Sequence, residues 1–273
     1  MMNSPKEIAN VAINVGKAKT SNSISKLLLL GFFAGMFIAL GAVSANTVSA
    51  TITNASVAKV AGAMIFPVGL AMVLIAGSEL FTGNSLISVS VINGDVKLSA
   101  MLKNWVFVYI GNFIGAVFIA ILCYFANQWG LFGNAVAVNT IAIANAKCSM
   151  TPVAAIASGI LCNILVCIAV WMSYGAKTVS CKIIAIYLPI VAFVLGGFEH
   201  SVANMYYIPA GLLAINNPAY LASALDAGKA IENITVGNFL IGNLLPVTIG
   251  NIIGGCLVGV LYWLIYLKDS KNK

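Results

Sequence analysis

One histidine occurs in the 273-residue chain, and it follows a glutamate directly, in GFEHSVAN over 197–204. An imidazole can donate a hydrogen bond, accept one, or exchange a proton near neutrality, since its unperturbed pKa is about 6.5. A second acid in a similar setting is Glu79, in GSELFTGN over 77–84. One histidine and two separated glutamates are too few for a metal centre, which normally takes three or four protein ligands. Ser201 as a nucleophile beside His200 would need two neighbours on one loop to point at each other. No metal, cofactor or enzymatic reaction is therefore expected. Two roles remain for His200. It ties down a loop as a buried neutral imidazole, or it offers a hydrogen bond or proton to something that passes.

The rest of the chain says what passes and through what. It is 61% hydrophobic and 8% charged, with mean hydropathy +1.01; a soluble domain is about a quarter charged. The bilayer is its solvent. The apolar blocks are long and do not alternate with polar residues, so they read as helices rather than barrel strands. All fourteen basic residues are lysine, which removes the bidentate guanidinium clamp for anions and points to an AT-rich bacterial source. The net charge of +7 reads as lysines flanking membrane spans, not as a nucleic-acid surface. Of the six cysteines, Cys123, Cys162, Cys167 and Cys256 fall inside apolar runs and read as small buried hydrophobes.

Six membrane passes are expected, near 27–46, 60–92, 104–126, 152–173, 183–213 and 237–267, within a channel domain over 25–267. The second and fifth are too long for one helix and carry ELFTGN and FEHSVAN in their middles. With the N-terminus in the cytoplasm, eleven of the fourteen lysines lie inside and only Lys59, Lys147 and Lys229 outside. The positive-inside rule thus gives a multi-pass protein of the bacterial cytoplasmic membrane with both termini inside. Residues 1–24 are expected to form a cytoplasmic amphipathic helix on the membrane surface, opened by a Ser4–Glu7 capping box with Pro5 at its first position. Residues 268–273 form a cytoplasmic tail, and 128–150 reads as a connection.

GSELFTGN aligned on GFEHSVAN shares glycine, glutamate and asparagine. IGNFIGA (110–116) aligned on IGNIIGG (249–255) matches at five of seven positions. The two pairs fall at equivalent places, so the fold class is an all-α membrane protein of two three-helix halves, about 25–127 and 150–267. Three helices per half make the repeat inverted, with helices 2 and 5 broken. Non-helical backbone at membrane depth is tolerated only inside protein or along a water-filled path. Glu79 and Glu199, with Asn84 and Asn204, fall at these breaks. The acids either line a cation or proton path or accept hydrogen bonds from N–H groups freed where the helix stops; their repetition favours the second. His200 has no twin, because Leu80 stands at its equivalent position, and Thr82 offers a hydroxyl on the other loop. Lys147 is either a solvated loop lysine or an electrostatic lure at a pore mouth. Glycines on helices 3 and 6, such as Gly111 and Gly250, signal close helix contact. Asn217-Pro218-Ala219, a water-channel signature when present twice, stands alone past the fifth span and reads as a surface turn.

GSELFTGN, CNILVCIAVWMSYGAK (162–177), GFEHSVANMYYIPAG (197–211) and NLLPVTIGNIIGG (243–255) resemble the formate/nitrite transporter family across nearly the whole chain. The resemblance implies an aquaporin-like protomer with its own pore, assembled as a homopentamer. It implies passage of small monovalent anions of weak acids: formate, nitrite or hydrosulfide. By it, His200, Thr82, Lys147 and Asn251 form the substrate path. Phe66, Leu70 and Phe193 form an outer apolar constriction and Leu80 an inner one. The arginine-free composition and the departures of the first loop from the formate-type pattern tilt the expected cargo toward hydrosulfide. A proton-coupled secondary transporter of formate or nitrite is the competing class.

Overall fold

The computed structural model describes residues 2–270. Among them every regular element is helical. In chain order these are α1 (Pro5–Thr20), α2 (Ile24–Ser49), α3 (Ala55–Ile65), α4 (Pro67–Met72), α5 (Phe81–Asn84), α6 (Ile87–Ile92) and α7 (Leu98–Phe125). There follow α8 (Ala135–Cys148), α9 (Pro152–Ser173), α10 (Val179–Leu195), α11 (Ser201–Ala214), α12 (Pro218–Asp226) and α13 (Leu245–Tyr266). The backbone widens to a π-helix over Val73–Gly77 after α4 and over Asn238–Leu244 before α13. Five apolar helical segments of 22–29 residues are long enough to cross a membrane: Ile24–Ser49, Ala55–Gly77, Leu98–Phe125, Pro152–Ser173 and Asn238–Tyr266. The chain is a multi-pass membrane protein.

The segment after α3 and α4 stops at Gly77, and the one containing α10 stops before Gly197. Both glycines have positive φ, 87° and 69°, a conformation closed to most side chains. The chain then runs extended through Leu80 (φ −102°, ψ 121°) and His200 (φ −113°, ψ 113°), and helix resumes at Phe81 and Ser201. Helix α2 lies along α7, and α9 along α13. The glycine pattern explains the closeness of both pairs. A Cβ on Gly111 would lie 2.9 Å from the Gly31 Cα, and one on Gly250 would lie 3.0 Å from the Gly159 Cα.

Several expectations change. The connection over 128–150 contains α8, whose Val136, Ala137, Thr140, Ile141 and Ala144 are buried. At 14 residues α8 is too short to span, so it registers in sequence only as apolar linker. Asn217-Pro218-Ala219 is a helix start rather than a plain turn: Asn217 Oδ1 accepts the N–H groups of Ala219 and Tyr220, and Pro218 opens α12. The Ser4–Glu7 capping box is present; the Ser4 backbone N–H and hydroxyl hold the exposed Glu7 carboxyl below its usual range. The apolar face of α1 is not free to lie on lipid. Ile8, Ala9, Ala12 and Ile13 are buried with Leu86, Val89, Cys167, Trp171 and Val258. The tail begins as a short turn, Lys268–Ser270, and its last three residues lie outside the described region.

Candidate functional site

The two interruptions meet. Thr82 Oγ1 and His200 Nε2 are 2.9 Å apart, and both residues are buried. The tautomer follows from the other ring nitrogen. His200 caps α11, and its Nδ1 lies 3.0 Å from the Ala203 backbone N–H. A backbone N–H can only donate, so Nδ1 accepts and the neutral ring carries its proton on Nε2. Nε2–H therefore donates to Thr82 Oγ1, which leaves the Thr82 hydroxyl proton free for another acceptor. Thr82 is held in turn by Asn163, whose Nδ2 donates to the Thr82 carbonyl at 3.1 Å.

Each break is closed by an asparagine from the following long helix. Asn112 Oδ1 accepts the Phe81 N–H at 2.9 Å, and its Nδ2 donates to the carbonyls of Gly31 (2.8 Å) and Glu79 (2.9 Å). Asn251 Oδ1 accepts the Ser201 N–H at 2.9 Å, and its Nδ2 donates to the carbonyls of Gly159 (2.8 Å) and Glu199 (2.9 Å). Asn251 is thus near the histidine, but its side-chain groups are occupied by backbone. It acts by holding the loop.

The two glutamates do not take up the freed backbone N–H groups, contrary to the structural reading of the sequence. A buried carboxylate needs a cation, and each has one. Lys147 Nζ is 2.7 Å from Glu199 Oε1, and Lys19 Nζ is 2.9 Å from Glu79 Oε2. Asn204 Nδ2 donates to Glu199 Oε2 (2.6 Å) and to Asn243 Oδ1 (2.7 Å), and Asn243 reaches the Lys147 carbonyl. Asn84 Nδ2 donates to Glu79 Oε2 (2.6 Å) and to Asn104 Oδ1 (2.8 Å), and Asn104 reaches the Lys19 carbonyl. The sets differ in two bonds, one of them from Asn243 Nδ2 to Glu199 Oε2 at 3.3 Å, which Asn104 does not repeat toward Glu79. Lys19 also donates to Asn84 Oδ1 at 2.9 Å, whereas Asn204 Oδ1 is buried without a partner. Lys147 is no solvated loop lysine: its side chain is 15% exposed and its ammonium sits 5.4 Å from the Tyr207 ring centre.

Two cavities flank the Thr82–His200 pair. One, of about 340 Å3, is bordered by Lys59, Lys147, Glu199, His200, Phe66 and Phe193. The other, of about 190 Å3, is bordered by Lys19, Asn84, Leu70, Leu80, Gly83 and Lys182. Phe66 meets Phe193 edge-on with ring centres 5.5 Å apart, and Phe193 lies 5.9 Å from the His200 ring. Leu70, expected beside Phe66, borders the second cavity with Leu80. It stands one helical turn from Phe66 toward the Gly77 break, which carries it past the histidine.

Sequence reasoning passed over Lys19, Asn104, Asn243, Asn112 and Asn163. Lys19 was read only as one of the inside charges. Yet Lys19-Thr20-Ser21-Asn22-Ser23 and Lys147-Cys148-Ser149-Met150-Thr151 each place a lysine four residues before a helix N-cap hydroxyl. Asn104 and Asn243 each stand eight residues before the asparagine that closes a break.

Comparison with known proteins agrees with these features. A family model described as formate/nitrite transporter matches residues 6–264. The formate channel FocA of Escherichia coli (strain K12) is 36% identical, over 98% of this chain and 96% of its own length. A solved structure described as a pentameric formate channel with formate bound superposes with a TM-score of 0.78 at 34% identity, covering 90% of this chain and 98% of that one. Another, described as an FNT family ion channel, gives a TM-score of 0.79 at 28% identity, covering 96% of this chain and 98% of that one. The relatives are channels rather than enzymes. The chain belongs to the formate/nitrite transporter family.

Proposed function

We propose that this protein is a channel passing small monovalent anions of weak acids across the bacterial cytoplasmic membrane, with formate as the first candidate cargo. The observation that carries this is the buried Thr82–His200 pair between two cavities, each bordered by apolar side chains and by the lysine of a lysine–glutamate pair. The names of the relatives favour formate over hydrosulfide and nitrite, and the differences in the first loop carry less weight than they do.

In the proposed architecture the chain makes six passes as an inverted repeat with helices 2 and 5 broken. The matched asparagine and lysine–glutamate bonds of the two halves support it. Eleven inside lysines support cytoplasmic termini. The described pentameric relative supports five protomers, each with its own path.

Passage follows from desolvation. An anion leaving water loses hydrogen bonds, and a buried charge with none to replace them is very costly. Phe66 and Phe193 on one side, and Leu70 and Leu80 on the other, strip large hydrated ions. Between them the Thr82 hydroxyl proton is available to an anion while His200 Nε2–H holds the oxygen in place. His200 serves as a fixed neutral donor. Protonating it at Nδ1 would break its bond to the Ala203 N–H, so the geometry favours a channel over a proton-coupled carrier. Lys147 and Lys19 keep the loops that present these donors in position.

Flux of formate, hydrosulfide and nitrite into proteoliposomes holding equal amounts of protein tests the cargo. Formate should permeate fastest; hydrosulfide outrunning formate would reassign it.

A further inference from the structure

The geometry points to Lys59, with Lys229 behind it, as the charge that gathers anions at the mouth of the His200 cavity. This rests on the anion-channel reading above and assigns a step to residues outside the narrow path.

Lys147 is poorly suited to attract ions from a distance. Its ammonium is 2.7 Å from the Glu199 carboxylate, so the two charges cancel beyond a few ångströms. Lys59 borders the same cavity and has no acid within ion-pair distance among the described residues. Its ammonium lies at the Gly197 turn, 3.4 Å from where a Cβ on that glycine would be. That turn leads straight into Glu199 and His200.

Lys59 also borders a wider, open cavity of about 830 Å3, together with Asn46, Asn139, Ser223 and Lys229. Lys59 and Tyr207 border both spaces, so the wide one adjoins the narrow one. The sequence assigns only Lys59, Lys147 and Lys229 to the outer side, and all three border these two spaces. A face otherwise cleared of lysine keeps its cations at one opening. Glu199 is matched to Lys147, and the outer acids Asp226 and Glu232 border neither space, so the unmatched cations at the opening are Lys59 and Lys229. Charges of one sign in a low-dielectric funnel raise local counter-ion concentration and entry rate.

The test measures formate uptake at pH 7 by proteoliposomes containing wild type, K59Q/K229Q or K59R/K229R, at about 10 mM and about 500 mM salt. Both positions are exposed, and the arginine variant controls for folding. At low salt K59Q/K229Q should be slower by roughly 3- to 10-fold while K59R/K229R matches wild type. At high salt, where the Debye length is only a few ångströms, the three should converge. Equal uptake at low salt, with wild type carrying formate, overturns the proposal and leaves the channel reading intact. A deficit that persists at high salt also overturns it, because the lysines then act by contact. Wild type carrying none of formate, nitrite or hydrosulfide overturns the channel reading itself.

Discussion

The Thr82 hydroxyl oxygen lies 2.9 Å from His200 Nε2, joining two helix interruptions 118 residues apart in sequence. Because the Ala203 N–H occupies Nδ1, the bond has a direction, from histidine to threonine. The hydroxyl proton is then the movable donor. Thr82→Val removes it while keeping nearly the same shape, and should lower formate flux roughly 10-fold, the equivalent of one hydrogen bond to a charged group. Thr82→Ser should retain most of the flux. Equal flux in the valine variant, measured in proteoliposomes, would remove Thr82 from the path.

Lys147 and Glu199 form a buried pair with two asparagines around it. Lys147→Met leaves the carboxylate buried and uncompensated, and should destabilise the protein by about 3–5 kcal/mol. Adding Glu199→Gln should recover much of that loss. Thermal unfolding in detergent measures both. A single variant as stable as wild type would mean that the pair does not hold the loop.

Asn251→Leu leaves the Ser201 N–H and the carbonyls of Gly159 and Glu199 without their partner. Each unsatisfied buried group costs about 1–3 kcal/mol. The variant should lose folded pentamer, read by size-exclusion chromatography, before it shows any selective change in anion preference. A stable pentamer with altered selectivity would instead put Asn251 in contact with the cargo.

Gly197 has φ of 69° at the turn into the second loop. Gly197→Ala forces a Cβ into that conformation, at about 1–2 kcal/mol. Gly196, one residue earlier, is not in that region. Thermal unfolding should show a loss for Gly197→Ala, and the equivalent Gly77→Ala should behave alike.

Much of this was legible in the chain itself, and the part that was not has physical causes. The long helices α2, α7, α9 and α13 announce themselves because a membrane demands about 20 apolar residues. Glu79 and Glu199 stood out as charges in apolar sequence. Their partners did not, because a lysine near a membrane edge has a sufficient explanation in topology alone. Lys19 and Lys147 become a matched pair only once the N-caps Ser23 and Thr151 are known. Helix α8 was hidden because 14 residues of mixed apolar and polar character fit a linker as well as a helix. The facing of Leu70 was hidden because it depends on where the helix stops, not on its period. The direction of the histidine bond depends on the Ala203 N–H, which no residue type encodes.

Formate flux through His200→Phe, beside wild type and at matched pentamer content, bears most directly on the proposed role of the central donor. Phenylalanine fills the ring's space but supplies neither the Nε2–H that orients Thr82 nor the Nδ1 acceptor that caps α11. Flux should fall by roughly 10- to 100-fold, because an unoriented Thr82 hydroxyl no longer offers the anion its hydrogen bond, a bond to charge worth about 1.5–3 kcal/mol. Wild-type flux in a well-folded His200→Phe pentamer would contradict it.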